Sequence, residues 1–188
     1  MDIVLFGIQG SGKGTQAKKL CAQFGHALFE AGGALRAIAA SGSELGKIVK
    51  EYIDAGHHVP QDIIMEVVAA FIADLPEGRN VVFDGIPRNM GQKDAFDALM
   101  GNAGRDFRCV ELIVDEEAAV KRILGRAKTE GRVDDANEEA IRTRLALFHE
   151  KTQPVIDAYR EEGNMADVDG EGTVEEVYGR LKKKVQEV

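Results

Sequence analysis

The residues with the clearest chemical purpose lie between positions 7 and 15, where the chain reads Gly-Ile-Gln-Gly-Ser-Gly-Lys-Gly-Thr, directly after an apolar strand-like run and before a helical one. A loop of this composition is suited to phosphate. Its glycines admit backbone conformations with φ > 0 that turn successive N–H groups toward phosphate oxygens. The helix start adds a fixed partial positive charge. Lys13 brings a full charge to a transferring phosphate, and the Thr15 hydroxyl is placed toward Mg²⁺. The usual ending, Gly-Lys followed by Ser or Thr, carries an extra glycine here, so the strict pattern fails by one position. A glycine-rich turn that binds nothing is the competing reading, and Lys13 in a strand–loop–helix setting counts against it. The cradle alone fits an ATPase, a GTPase or a small-molecule kinase. Phosphoryl transfer between two nucleotides brings two polyanions together, and further cations must hold them in line. Arginine suits that task because its planar fork grips phosphate at two points.

The elements that must position these groups alternate. Strand-like runs are Asp2–Phe6, Asn80–Phe83, Cys109–Val114 and Met165–Val168, with His26–Phe29 weaker; each is short, apolar and bounded by turn formers. Helical patterns cover Thr15–Phe24, Gly33–Ser41, Ser43–Ala55, Gln61–Leu75 after Pro60, Asn89–Met100, Glu116–Leu124, Glu138–Glu161 and Val174–Val185. Ala127–Ala136 is polar, contains Gly131 and reads as a loop. The β-α alternation predicts an α/β fold, a five-stranded parallel sheet with helices on both faces.

The 188 residues make one domain of ordinary size, 44% hydrophobic and 30% charged, with a formal net charge of −8. That balance counts against nucleic-acid and membrane-surface partners, which call for a basic face. Cys21 and Cys109 lie far apart with no CxxC pair, so neither a disulfide framework nor a structural zinc site is expected. No apolar run is long enough to span a bilayer, no signal peptide is apparent, and a cytoplasmic location is expected.

Several segments in order resemble the adenylate kinase family over nearly the whole chain: GIQGSGKGTQ, the ALR ending at Arg36, SGSELG at 41–46, DAGHHVP at 54–60, FDGIPRNMGQ at 83–92, and GR…GRVDD…IRTRL downstream. The resemblance implies a P-loop nucleoside monophosphate kinase fold, with a core of 1–29, 60–122 and 137–188. It also implies an acceptor-binding region at 30–59 and a short lid near 123–136 without a zinc-bearing insert. The implied reaction is ATP + AMP ⇌ 2 ADP with Mg²⁺, in a protein expected to be a monomer. By position, Gly10, Ser11, Gly12, Lys13, Gly14 and Thr15 bind the donor phosphates. Arg126 and the backbone of Gly172 meet the same nucleotide. Arg36 and Arg88 clamp the acceptor phosphate beside Gly85, and Arg132 and Arg144 reach the transferring phosphate, with Arg122 a further cation. Val59 and Gln92 read the acceptor base. Ala31, His57 and His58 fall in the same acceptor set, the histidines as exposed loop residues and not as catalysts. Lys13, Arg88, Arg126, Arg132 and Arg144 form the implied catalytic set, and Thr15 and Asp84 hold Mg²⁺, the latter through waters. Arg105, Arg108 and Arg160 read as solvated surface residues.

The chain departs from the family pattern after the second strand, where Glu30-Ala31-Gly32-Gly33 replaces a common Ser-Thr-Gly-Asp. Ala31 also occurs in UMP/CMP kinases, whereas Gln92 favours AMP. Gly33 removes a carboxylate expected near the metal's waters, which leaves a nucleotide-binding regulator with weakened catalysis as a rival from another class.

Overall fold

The computed structural model describes residues 1–55, 57–130 and 138–187, without the side chains of 126–130 and 140. Five strands, β1 (Asp2–Phe6), β2 (Ala27–Glu30), β3 (Val81–Asp84), β4 (Phe107–Ile113) and β5 (Met165–Asp169), form one parallel sheet in the order β2-β3-β1-β4-β5. The expected fold class is therefore observed. All five residues of β1 are buried, as a central strand covered by helices on both faces requires. Its side chains alternate between two cores. Val4 and Phe6 join Phe29, Phe83, Phe96, Ile156 and Tyr159 on one face. Ile3 and Leu5 join Val82, Val110, Leu112, Leu20 and Leu181 on the other.

The helices are α1 (Lys13–Phe24), α2 (Ala31–Ala40), α3 (Glu44–Asp54), α4 (Gln61–Ala73), α5 (Met90–Asn102), α6 (Glu116–Glu130), α7 (Glu138–Leu147), α8 (Gln153–Glu161) and α9 (Val174–Gln186). Their starts carry chemical signals. The Asn89 side chain accepts from Gln92 N and opens α5, while Thr173 and Glu176 form a reciprocal capping box at α9. One face of the sheet is threaded by aromatic rings. Phe83 meets Phe96 edge-on with centroids 5.2 Å apart, and Phe96 meets Phe107 at 5.3 Å. Such pairs add about 0.5–1.5 kcal/mol each beyond their area.

Two elements differ from the sequence reading. The stretch Ala127–Ala136 is not a loop throughout, because α6 continues to Glu130. Alanine, lysine and glutamate are good helix formers, and between Gly125 and Gly131 no glycine or proline interrupts. The long helix expected over Glu138–Glu161 is broken by a π-helical turn, Phe148–Thr152, between α7 and α8. An extra residue in such a turn re-aims the side chains around it, and Thr152 makes use of this below.

The three arginines read as solvated are structural. Arg105 donates from Nε and Nη2 to both carboxylate oxygens of buried Asp2, at 2.7 and 2.8 Å. Arg160 bridges Glu111 and Asp167 at 2.9 Å each. Arg108 donates to the Gly163 carbonyl at 2.6 Å. The ties to Asp2, Glu111 and Gly163 join segments tens of residues apart, which local sequence does not reveal.

Candidate active site

The glycine-rich loop leaves the C-terminal end of β1 and enters α1 at Lys13. Gly10 takes φ +82, and a Cβ there would lie 2.6 Å from the Ala119 carbonyl oxygen of α6. Only glycine lets the loop lie this close against α6. Lys13 Nζ donates to the Gly7 and Ile8 carbonyls at 2.6 and 3.0 Å, which folds the ammonium over the loop. Ser11 is buried and its hydroxyl has no hydrogen-bond partner among the described residues, while Thr15 is exposed on the first turn of α1. Gly12 and Gly14 complete the loop and helix start.

Asp84 closes β3 and lies opposite Leu5 of β1 in the sheet register, next to the strand that carries the cradle. This is the C-terminal edge of an open parallel sheet, where ligands bind in such folds. Glu30 ends β2 directly opposite Asp84.

Beyond Asp84 the chain turns through Gly85 and a cis Ile86–Pro87 bond to Arg88. Gly85 has φ +83, and a Cβ on it would meet Arg88 Nη2 at 2.8 Å. Arg88 is pinned at three points. Its N–H donates to Gln92 Oε1 at 2.8 Å, its Nε donates to the Gly85 carbonyl at 2.7 Å, and its own carbonyl accepts from Thr152 Oγ1 at 2.9 Å. Burial pushes the guanidinium below its ordinary pKa; Asp84 opposes that shift, and the charges of Arg36 and Arg144 add to it. Around Arg88 two like charges, Arg36 and Arg144, act against one opposing carboxylate, Asp84, which leaves a local excess of positive charge in a chain of net −8. Arg36 extends from α2 and is exposed.

Beside this cluster a cleft of about 430 Å³ is lined by His57, His58, Asn89, Leu147 and Lys151. His57 is exposed as expected, but His58 is half-buried. Burial, with Arg88, Lys151 and His57 nearby, pulls its pKa down to about 4, so its ring is neutral at pH 7. Val59 is buried behind these histidines. Ala31, at the start of α2, is buried, and its Cβ lies 3.7 Å from where a Gly85 Cβ would be. Gln92 is buried, with Oε1 already engaged by the Arg88 amide.

Gly172 sits in the turn after β5, φ +106, just before the α9 cap. Arg180 braces this turn through the Asp169 carbonyl at 2.9 Å and the Glu171 carbonyl. Arg122 is committed here as well, to Glu171 Oε2 at 2.7 Å, which draws it away from the role of a further phosphate-facing cation. Arg126 lies on α6 with its side chain outside the described residues, and Arg132 falls outside them entirely.

The adenylate kinase family profile matches residues 5–164. The chain belongs to the adenylate kinase family. An adenylate kinase of Stenotrophomonas maltophilia is 42% identical over 182 residues, covering 96% of this chain and 97% of that protein. Adenylate kinases of Thermus thermophilus (40% over 181 residues, covering 96% and 94%) and Parabacteroides distasonis (38% over 189 residues, covering 100% and 99%) are similar.

This family generally uses Mg²⁺ with ATP. Among the described residues no three His, Cys, Asp or Glu side chains gather as a direct cage. The Thr15 hydroxyl and the Asp84 and Glu30 carboxylates are hard oxygen groups beside a phosphate cradle. That set fits Mg²⁺, which keeps several waters and takes one or two carboxylates plus nucleotide phosphates. The residues missed by sequence reasoning are supports: Thr152 holds the Arg88 carbonyl and Arg180 the turn at Gly172, while Asn89, Leu147 and Lys151 line the cleft. Only the helix-capping Asn89 carried a local signal. No described helix is long and apolar enough to cross a membrane.

Proposed function

We propose that this chain transfers the terminal phosphoryl group of ATP reversibly to AMP, giving two ADP. The observation that supports this best is the meeting of two anion-binding assemblies at one sheet edge. The cradle at the end of β1 suits the donor, and Arg88, with the charges of Arg36 and Arg144 acting on it beside Asp84, suits the acceptor. In this reading Gly10 to Gly14 present backbone N–H groups to the donor phosphates, and Lys13 swings from the Gly7 and Ile8 carbonyls onto the phosphate in flight. Arg88, fixed in place by Gly85, Gln92 and Thr152, grips the acceptor phosphate with Arg36. Arg144, with Arg126 and Arg132 from the lid near 123–136, neutralises charge on the transferring group. Thr15 and the Asp84-held waters would seat Mg²⁺, which supplies charge neutralisation and orientation to the donor phosphates when bound. Gly172 meets the donor base through its backbone. The cleft beside His58 and Val59 receives the acceptor base, and a neutral His58 adds no charge there. No covalent intermediate is needed, because in-line positioning and electrostatic stabilisation suffice. The acceptor region 30–59 and the lid close to exclude water.

The names of the relatives and Gln92 together point to AMP. A coupled assay of ADP release with ATP–Mg²⁺ and AMP, GMP, CMP, UMP or dAMP at equal concentration tests the reading. Strong turnover with AMP supports it. Preference for CMP or UMP refutes the acceptor, and ATP binding without transfer to any acceptor refutes the catalysis.

A further inference from the structure

Glu30 and Asp84 are register partners at the ends of adjacent parallel strands. Their carboxylates converge. A Cβ placed on Gly14 would lie 3.6 Å from Asp84 Oδ2 and 3.8 Å from Glu30 Oε1, so both groups reach one spot against the first turn of α1, one residue from Thr15. Among the described residues neither carboxylate is engaged in a hydrogen bond or an ion pair. Two carboxylates beside a phosphate cradle, only one of which (Asp84) acts on Arg88, oppose binding of a bare polyanion and favour a cation that arrives with it. Gly33 belongs to the same spot, because a Cβ built on it would meet only the Glu30 Cβ, at 3.5 Å. Position 33 thus has room for a side chain, and the negative charge reaches the site from position 30 instead.

We infer that Glu30 is a positioning residue for the divalent cation, acting with Asp84 through the ion's waters and standing in for a carboxylate at position 33. This rests on the Mg²⁺-dependent reading above. The role explains why a glutamate ends a strand whose other three residues, Ala27, Leu28 and Phe29, are apolar. Its longer side chain reaches α1 from β2, one strand further from the cradle than Asp84 on β3. Glu30 does not touch the reacting phosphate, so it tunes the metal and not the in-line geometry. Hydrogen-bonding partners outside the direct coordination shell are worth about 10–100-fold in metal affinity or activity.

The test measures ATP affinity of the full-length protein by calorimetry, once with excess Mg²⁺ and once with a chelator, for wild type, Glu30→Gln and Glu30→Gln/Gly33→Asp. The readout is the ratio of metal-free to Mg²⁺-loaded dissociation constants. Glu30→Gln is expected to lower that ratio about 10–100-fold while leaving metal-free ATP binding unchanged or tighter. The added Gly33→Asp is expected to recover part of the loss. An unchanged ratio in Glu30→Gln overturns the assignment, as does equal weakening of both dissociation constants, which marks a merely structural role. The wild-type transfer assay separates the two levels of inference. Wild-type transfer with an unchanged Glu30→Gln ratio removes only the Glu30 role, whereas absent wild-type transfer removes the reading beneath it.

Discussion

Arg105→Ala is expected to destabilise the protein severely while sparing its chemistry. Asp2, 1% exposed, accepts three hydrogen bonds: from Val81 N at 2.8 Å and from Arg105 Nε and Nη2 at 2.7 and 2.8 Å. Arg105 also donates to the Arg79 carbonyl at 2.7 Å. One residue therefore ties the start of β1 to the start of β3 and the approach to β4. Truncating the arginine leaves a buried carboxylate with a single backbone donor. Breaking a buried pair in this way costs about 3–5 kcal/mol. For a domain of this length each kcal/mol shifts Tm by roughly 2–4 °C, so a fall of about 6–20 °C is expected. Asp2→Asn keeps an acceptor for Val81 N and leaves an arginine with some water access, so its loss is smaller, about 1–3 kcal/mol. The double variant should be less unstable than the sum of the singles, since each removes the other's stranded partner. The clamp sits at the opposite end of β1 from the cradle, about 13 Å of strand away, so kcat at 25 °C should match wild type. Thermal unfolding by circular dichroism, paired with the ADP assay, gives both quantities. A Tm change under about 2 °C in Arg105→Ala, or strict additivity in the double variant, would refute the clamp.

Three further outcomes are expected. Arg88→Ala should lose turnover by about 10³-fold or more with the circular dichroism spectrum intact, and Arg88→Lys should not restore it, because an ammonium cannot reproduce the planar fork; near-normal turnover in either would remove Arg88 from the site. Gly10→Ala forces φ +82 on a residue whose Cβ would sit 2.6 Å from the Ala119 carbonyl oxygen, so the loop must lift from α6 and ATP affinity, read by calorimetry, should drop about tenfold or more; unaltered affinity would show that the loop's seat on α6 is immaterial. His58 binds its proton near 4 in the folded chain and near 6.5 when unfolded, so its contribution to stability is complete above about 6.5 and is lost as pH falls toward 4; urea midpoints at pH 7 and pH 4.5 should differ less in His58→Asn than in wild type, and equal pH sensitivity in both would contradict the burial of the neutral ring.

Legibility in the sequence followed the range of the forces involved. β1 and β3 announce themselves because strands buried on both faces are near-continuous apolar runs, and β4 keeps that signal around Arg108 and Glu111. The cradle is legible because each of its residue types answers a demand made within nine positions. The π-helical turn at Phe148–Thr152 left no trace, since its apolar spacing continues that of α7 and α8 and the deviation is settled by packing. The extension of α6 to Glu130 was hidden by the charge of residues 127–130, which reads as a loop although the same residues favour a helix. Arg105 and Arg108 looked like surface because their partners lie far along the chain, Asp2 being 103 residues from Arg105, and the tie of Arg160 to Glu111 is equally remote. Glu30 could not be oriented without the register that sets it opposite Asp84.

The charge pattern of the site supports a division of labour between its two halves. Two carboxylate oxygens lie 3.6 and 3.8 Å from one point on α1, so they are at most about 7 Å apart, and at an effective dielectric constant of about 20 they repel each other by about 2 kcal/mol or more. Each arriving phosphate charge meets a similar repulsion from both. A site evolved only to retain phosphate would be better without them, and Lys13 alone does not cancel them against a triphosphate. The pair becomes favourable when the donor carries its own dication, for the same Coulomb energy then changes sign. On the acceptor side the balance is reversed. Arg88 is acted on by the like charges of Arg36 and Arg144 and by the single opposing carboxylate of Asp84, so an anion without metal is the ligand that suits this half. Metal-loaded donor at the cradle and metal-free acceptor at the arginines is thus the arrangement of lowest electrostatic cost, and exchanging them would place a dication among guanidinium groups and a bare polyanion against two carboxylates.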